Sequence, residues 1–220
     1  MFESLKGVAI IYSIGDLIMS TGTAPQVITG TTAWNIDPVH SNAQFKVKHM
    51  MISNVKGEFT PVTGKLELNS ADITNSRIEA SIDAATINTR DAQRDTHLKS
   101  ADFFDVEKFP ALTFKSTHVS KKGDGELAVE GDLSIHGVTR NVVFEVEGPS
   151  TPMKDPWGNT RIGLSATTRI NRKDFGLSFS MMLDGRMVVS EEIQITIEGE
   201  LVEQKETADT ATASSLTAAS

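Results

Sequence analysis

The sequence predicts an all-β fold: an antiparallel, eight-stranded up-and-down β-barrel with a short helical plug. Three observations predict it. Apolar and polar residues alternate with a period of two in run after run between Asn42 and Leu201, which marks strands with one dry and one wet face. No β–α–β rhythm breaks these runs. Only the stretch from Asn88 to Phe114 carries a helical signal. A two-sheet sandwich would also fit the alternation. Closure is preferred because it removes the long edges such strands would otherwise expose.

From Asn42 to His49, Ala43, Phe45, Val47 and His49 share one face, while Asn42, Gln44, Lys46 and Lys48 share the other. The phase then slips. Val55, Gly57 and Phe59 are odd, and Val62, Gly64, Leu66 and Leu68 are even. Pro61 sits at the change, so a bulge or sharp bend is expected there, of the kind that curls a sheet. Ile78, Ala80, Ile82 and Ala84 mark the next strand. After the plug, Leu112, Phe114, Ser116 and His118 share a face. Leu127, Val129, Leu133 and Ile135 precede His136-Gly137, and Val138, Val142, Phe144 and Val146 follow it, which reads as a tight hairpin with Gly137 at positive φ. Ile162, Leu164, Ala166 and Ile170 make another strand, and Ile193, Ile195, Ile197 and Leu201 the last.

Within the plug, Asp91 is placed to cap a short helix, and Ser100 to cap a second turn carrying Phe103 and Phe104. Pro110 ends the segment. The inward set contains many small residues: Ala43, Gly57, Gly64, Ala80, Ala84, Gly131 and Ala166. They leave room for a cavity, although barrel taper accounts for them equally well.

The 220 residues allow one barrel-sized domain, and 39% hydrophobic content can fill its core. Net charge is −8, which argues against nucleic acid as a partner and against electrostatic docking on anionic lipid. Cysteine is absent, so disulfides and thiolate metal sites are excluded while the compartment stays open. Residues 1–30 read as a leader or loosely ordered segment outside the barrel, which is expected over 31–203. Val8 to Ile14 is too short to span a bilayer, and no stable membrane insertion is expected. Glu3, Lys6 and Asp16 fit a secretory signal poorly. The expected location is therefore cytoplasmic, and periplasmic if residues 1–30 act as a signal. Residues 204–220 are rich in Thr, Ala and Ser and read as a disordered tail.

Motifs for chemistry are few. There is no HExxH and no GxSxG, and the five histidines lack zinc-helix spacing. Ser41 beside His40 places two side chains on opposite strand faces. His49 with His118 is a formal metal pair inside a barrel, but a hydrogen-bonded interior histidine is the commoner case. Asp91, Asp95, Asp102 and Asp105 fit helix caps and first-turn acids better than a calcium loop. Lys121 to Glu126 is a polar hairpin loop. Neither metal nor catalytic activity is expected. Arg90, Arg94, His97 and Lys99 on the plug, with Arg169, Arg172 and Lys173, form two basic loops in an acidic chain. They read either as surface ion pairs or as a rim that holds a polar headgroup.

The segment RDTHLKSADFFD followed by FPALTF, with WNIDPVHSNAQFKVKH, VKGEFTPVTG, GDLSIHGVTRNVVF and INRKDFGL, resembles the YceI-like family in order across Thr31 to Val202. That family comprises bacterial lipocalin-like barrels that bind polyisoprenoids and related amphiphiles. The resemblance implies a barrel that binds a long-chain isoprenoid or fatty-acid-like lipid without transforming it, needs no cofactor and often forms homodimers. With the alternation it implies lining by Phe45, Val47, His49, Phe59, Ala84, Leu112, Phe114, Trp157 and Phe175, and a headgroup held by Arg94 and Arg172. Rival readings are an enzyme acting on a lipid or quinone-like substrate, with His49 as the only nameable titratable group; a partner-binding barrel with a filled core; and a haem or metal carrier.

Overall fold

The computed structural model describes residues 30–180, 182–183 and 186–205. The expected leader and tail fall outside the described residues apart from Gly30, Gln204 and Lys205. Gln204 still belongs to the barrel: its N–H donates to the Ala33 carbonyl at 2.8 Å.

Thirteen strands are described: β1 (Thr31–Ile36), β2 (Asn42–His49), β3 (Ser53–Phe59), β4 (Val62–Asn69), β5 (Arg77–Asp83), β6 (Ala111–Gly123), β7 (Glu126–Ile135), β8 (Val138–Glu147), β9 (Met153–Lys154), β10 (Thr160–Asn171), β11 (Met182–Leu183), β12 (Arg186–Met187) and β13 (Val189–Glu203). One helix, α1 (Ala92–Lys99), lies between β5 and β6. The sheet runs β3-β2-β13-β1-β4-β5-β6-β7-β8-β10, and β10 pairs back onto β13, closing the ring. β1 and β2 pair with successive parts of β13, and β4 and β3 pair with them in turn. Each pair is therefore one bent stave, and the barrel has eight antiparallel staves in up-and-down order.

Both bends have a physical cause. β3 ends at Phe59 and β4 begins at Val62, with Pro61 between, as the phase slip predicts. Gly57 and Phe59 are buried before the break, and Val62, Leu66 and Leu68 after it. The bend between β1 and β2 also holds a proline, Pro38. Residues 37–40 leave the sheet, and the buried Ser41 repairs the gap: its Oγ accepts from the Glu200 N–H at 3.0 Å and donates to the Glu200 carbonyl at 3.2 Å. A hydroxyl can do both at once.

The β7–β8 hairpin turns on His136-Gly137, both at positive φ (52° and 72°), which matches the twist of the flanking strands. Asp91 caps α1, accepting from the Arg94 N–H at 3.1 Å. Ser100 is the C-cap of α1 and also opens the turn that carries Phe103 and Phe104: its Oγ accepts from the Asp102 N–H at 3.3 Å, and its carbonyl accepts from the N–H groups of Phe103 and Asp105.

Three apolar clusters fill the wall and interior. One surrounds Trp34, Val62, Ile162 and Leu201. A second joins Val119, Val129, Phe144 and Val146. The third packs Phe175 and Leu177 on Leu133 and Ile135, where the turn Arg172–Phe175 folds back over the barrel end. Among the described residues, no helix is long and apolar enough to cross a membrane.

Candidate functional site: the barrel interior

A cavity of about 280 Å³ occupies the interior. All eight staves contribute, for example through Val47, Leu66, Ile82, Phe114, Val129 and Phe144, with Leu164 and Ile195 completing the ring. At one end Leu98, Phe103 and Phe104 of the plug complete the lining. Phe103 is held there by two rings: its centroid lies 5.1 Å from His97 and 5.0 Å from Phe179, and His97 and Phe179 meet edge-on at 5.0 Å. This cluster ties the plug to the segment that follows Arg172–Phe175. Ile73 lines the opposite end.

Of the lining residues expected from sequence, Phe45, Val47, Phe59, Leu112, Phe114 and Arg172 border the cavity. The others do not. Trp157 is 79% exposed in the turn between β9 and β10, where its N–H donates to Asp155 Oδ1. Phe175 is buried in a cluster with Leu133 and Ile135, which border the cavity, but does not border it itself. Ala84 is fully buried, yet β5 ends at Asp83 and Ala84 opens a 3₁₀ turn whose first N–H donates to the Pro110 carbonyl. His49 sits half-buried at the end of β2, paired with Ser53 and Val189, and does not line the cavity. Arg94 is turned to its own loop: Nε donates to Thr89 Oγ1 at 2.7 Å and Nη2 to the Thr89 carbonyl at 2.9 Å.

The formal His49–His118 pair also dissolves. Ser116 pairs with Gly131 and His118 with Glu130, so Thr117 is an extra residue in β6. This bulge reverses the phase, sending His118 outward and Val119 into the core. Among the described residues, one cluster has the spacing of metal ligands: Asp37, His40 and Glu200. Arg161 already occupies it. Nη1 donates to Asp37 at 2.6 Å and Glu200 at 2.5 Å, and Nε to Asp155 at 2.8 Å. His40 beside Asp37, with Arg161, holds that carboxyl well below the usual range, and Arg161 does the same for Asp155. The cluster is an ion-pair network on the outer wall, clasping the bend between β1 and β2.

The small inward residues prove to have two uses. Gly57 seats the Phe45 ring and Gly131 the Phe114 ring, each at a distance a Cβ would not allow. They make places for aromatic rings as well as leaving space.

Arg172 is the charged group embedded in this wall. It is 4% exposed, borders the cavity, and donates from Nε to the Ser190 carbonyl (3.1 Å) and from Nη1 to those of Leu177 (2.5 Å) and Phe179 (2.8 Å). Burial pulls its pKa down, because the charged form is poorly solvated there. Sequence reasoning missed Leu98, Phe103 and Phe104 as lining. Their signal was available: with Val106 and Phe109 they are the large apolar residues on an otherwise polar plug.

Fold and site together define a ligand-enclosing antiparallel barrel with an apolar interior. The chain belongs to the YceI-like family, whose domain matches residues 34–201. It is 41% identical to a UPF0312 protein of Vibrio cholerae over 138 residues, covering 63% of this chain and 72% of that one. It is 35% identical to a UPF0312 protein of Shewanella denitrificans over 160 residues, covering 73% and 82%. Among solved structures, the Campylobacter jejuni YceI protein shares 31% identity over 73% of this chain and 91% of that chain, with a TM-score of 0.61. A polyisoprenoid-binding domain from Saccharophagus degradans shares the fold at a TM-score of 0.56 and 15% identity, covering 79% of this chain and 99% of that one. Where these names give an activity, it is binding rather than catalysis.

Proposed function

We propose that the barrel encloses the long apolar tail of a polyisoprenoid, or of a lipid of similar cross-section, and carries or shelters it without transforming it. The observation that carries this reading is the cavity itself, lined by aliphatic and aromatic side chains from every stave and from the plug. Such a tail is insoluble because of its apolar surface, and burying it recovers roughly 0.8 kcal/mol per methylene-sized group. The relationship to a polyisoprenoid-binding domain supports the same reading. A barrel with a filled core would leave no such space. An enzyme would need a group able to exchange protons in the cavity. Among the described residues, the titratable side chains bordering it are Arg77 and Arg172, and arginine does not exchange protons at neutral pH.

The test is mass spectrometry of an organic extract of the purified protein, followed by reloading of the delipidated protein. The expected result is about one long-chain lipid per barrel and a higher melting temperature on reloading, since a ligand that binds only the folded state stabilises it. Delipidated protein that takes up neither a C20 prenol nor a C16 fatty acid would overturn the reading.

A further inference from the structure

The hairpin between β2 and β3 ends in Met50, Met51 and Ile52. The Ile52 N–H donates to the His49 carbonyl at 3.0 Å, which closes a tight turn. Both central residues are left-handed, Met50 at φ 50° and Met51 at φ 59°. Such a turn ordinarily takes Asn-Gly, because large side chains are strained at positive φ. Here the strained positions carry two methionines, and the tip faces water: Met51 is 70% exposed and Ile52 81%. Folding alone gives no reason for large apolar residues that are strained and bury little. Behind the tip, β2 and β3 carry Lys46, Lys48 and Lys56 on their outer faces, and Lys46 stands directly opposite Lys56, where like charges repel. Among the described residues, the lysines in ion pairs are Lys108, Lys115, Lys122 and Lys173, not these three. Glu58 lies opposite Gln44 toward the far end of β3, and Glu191 is held by Lys173. Glu192, in the bulged stretch of β13 across from Lys48, offsets one of the three charges at most. The tip stands at the plug end of the barrel: the Met50 N–H donates to the Val188 carbonyl at 2.7 Å, and two residues on, the Ser190 carbonyl accepts from Arg172.

We propose that this hairpin docks the protein reversibly on an anionic lipid bilayer: Met50, Met51 and Ile52 enter the interfacial layer while Lys46, Lys48 and Lys56 meet the headgroups. An apolar end backed by cations is the chemistry of peripheral attachment, in which apolar burial and attraction to anionic lipid add. Three side chains on a convex tip fall far short of the roughly 800 Å² that each partner gives to a stable protein interface. The net charge of −8 belongs to the whole chain. A docked tip responds to charges within a Debye length, about 8 Å at physiological salt, and within that reach the hairpin presents lysines. The proposal goes beyond the lipid-binding reading and stands without it; taken together, docking sets the plug end of the cavity against the membrane.

Vesicle flotation tests it, with vesicles of phosphatidylcholine alone and of phosphatidylcholine and phosphatidylglycerol in equal parts. The chain has no cysteine, so Met51→Cys and Met153→Cys each create a unique site for an environment-sensitive nitrobenzoxadiazole label. Met153 is exposed in β9, which pairs with the start of β10, at the barrel end away from the plug. The expected result is flotation with the mixed vesicles, much weaker flotation with phosphatidylcholine, and a blue shift of the label at position 51 but not at 153. Lys48→Gln with Lys56→Gln should weaken partition into the mixed vesicles about twentyfold, at about fivefold per lysine. Met50→Asn with Met51→Gly should weaken it about tenfold while raising the melting temperature, because the strain is relieved. A gain in stability beside a loss of docking is a pair of effects that a merely structural turn would not give. Absence of flotation with either vesicle overturns the proposal, as does equal flotation with both, or a label at 153 that shifts as much as the one at 51. A fall in melting temperature on Met50→Asn with Met51→Gly would mean that the methionines pack on the barrel, and would overturn it too. So would a wild-type dimer that this variant dissociates and that does not float, which would make the tip a contact between copies. All these outcomes leave the extraction experiment, and with it the lipid reading, untouched.

Discussion

Gly57→Ala separates a barrel with interior space from one packed solid. Gly57 lies in β3 directly opposite Phe45 of β2. An added Cβ would stand 2.6 Å from Phe45 Cε1, closer still to Cζ, and 2.9 Å from Thr89 Cγ2. Carbon atoms rest comfortably at about 3.5–4.0 Å, so the ring must retreat by roughly 1 Å. Thr89 cannot give way, because Asp95 and Arg94 both hold its hydroxyl. Phe45 can, because its ring borders the cavity. The cost should therefore sit at the low end of overpacking, about 1 kcal/mol, or roughly 3 °C in melting temperature for a barrel of this size. Gly131→Ala is the control. There the Cβ would lie 2.5 Å from the Lys115 carbonyl oxygen as well as from Phe114 Cζ, and backbone cannot swing aside. It should cost about 3 kcal/mol, roughly 9 °C. The assay is thermal unfolding by circular dichroism, beside lipid recovered per mole. Gly57→Ala should lower lipid recovery. Equal destabilisation by the two substitutions would mean that Phe45 has nowhere to go, and the cavity argument would fail.

Asp37 and Asp155 titrate below their ordinary range in the folded protein, so their contribution to stability is present above about pH 4 and is lost as pH falls through their depressed values. Arg161→Gln should therefore lower the urea midpoint at pH 7 far more than at pH 2, and equal losses at both would contradict the linkage. Trp157 is exposed and Trp34 is 1% exposed, so Trp157→Ala should change stability by less than about 0.5 kcal/mol and leave a blue-shifted, poorly quenched emission; a loss of lipid retention would restore Trp157 to the site. Phe103→Ala removes the ring that His97 and Phe179 hold over the cavity end, and should speed release of a bound lipid in a stopped-flow exchange assay, with unchanged release counting against the plug as a closure. Asp91→Ala should cost about 1 kcal/mol, a helix-cap loss measurable as a melting shift of roughly 3 °C.

Local chemistry made much of the fold legible. Pro61 at a phase slip, His136-Gly137 between two alternating runs and Asp91 ahead of a helix each announce a backbone event within a few residues, and each occurs where the sequence places it. What escaped depends on partners distant in sequence. Nothing around Thr117 signals that it is an extra residue, because the bulge is defined by the register of β7 across the hairpin. Ala84 continues the alternation of β5 but leaves it, since its N–H is claimed by Pro110. Trp157 reads as lining from the family resemblance and the strand alternation, and only the turn at Asp155 shows that it faces water. The inward glycines read equally as room for a cavity or as barrel taper, whereas the rings that cover Gly57 and Gly131 come from neighbouring strands.

The bend between β1 and β2 has a consequence for how the chain can change. Register is fixed on either side of it independently: Trp34 to Ile36 are matched to Glu203 to Leu201, and Asn42 to Val47 to Glu198 to Ile193. Ser41 stitches the gap with its side chain. The residues between owe the ladder little, and Val39 at the apex is 81% exposed. Length can therefore vary after Val39 without sliding either half of the stave, at only about 0.6 kcal/mol for each doubling of the loop. Asp37, clasped by Arg161, acts as a rivet just upstream, and any such graft must leave it in place. The wall thus contains a port at which a peptide could be displayed outside while the interior stays closed.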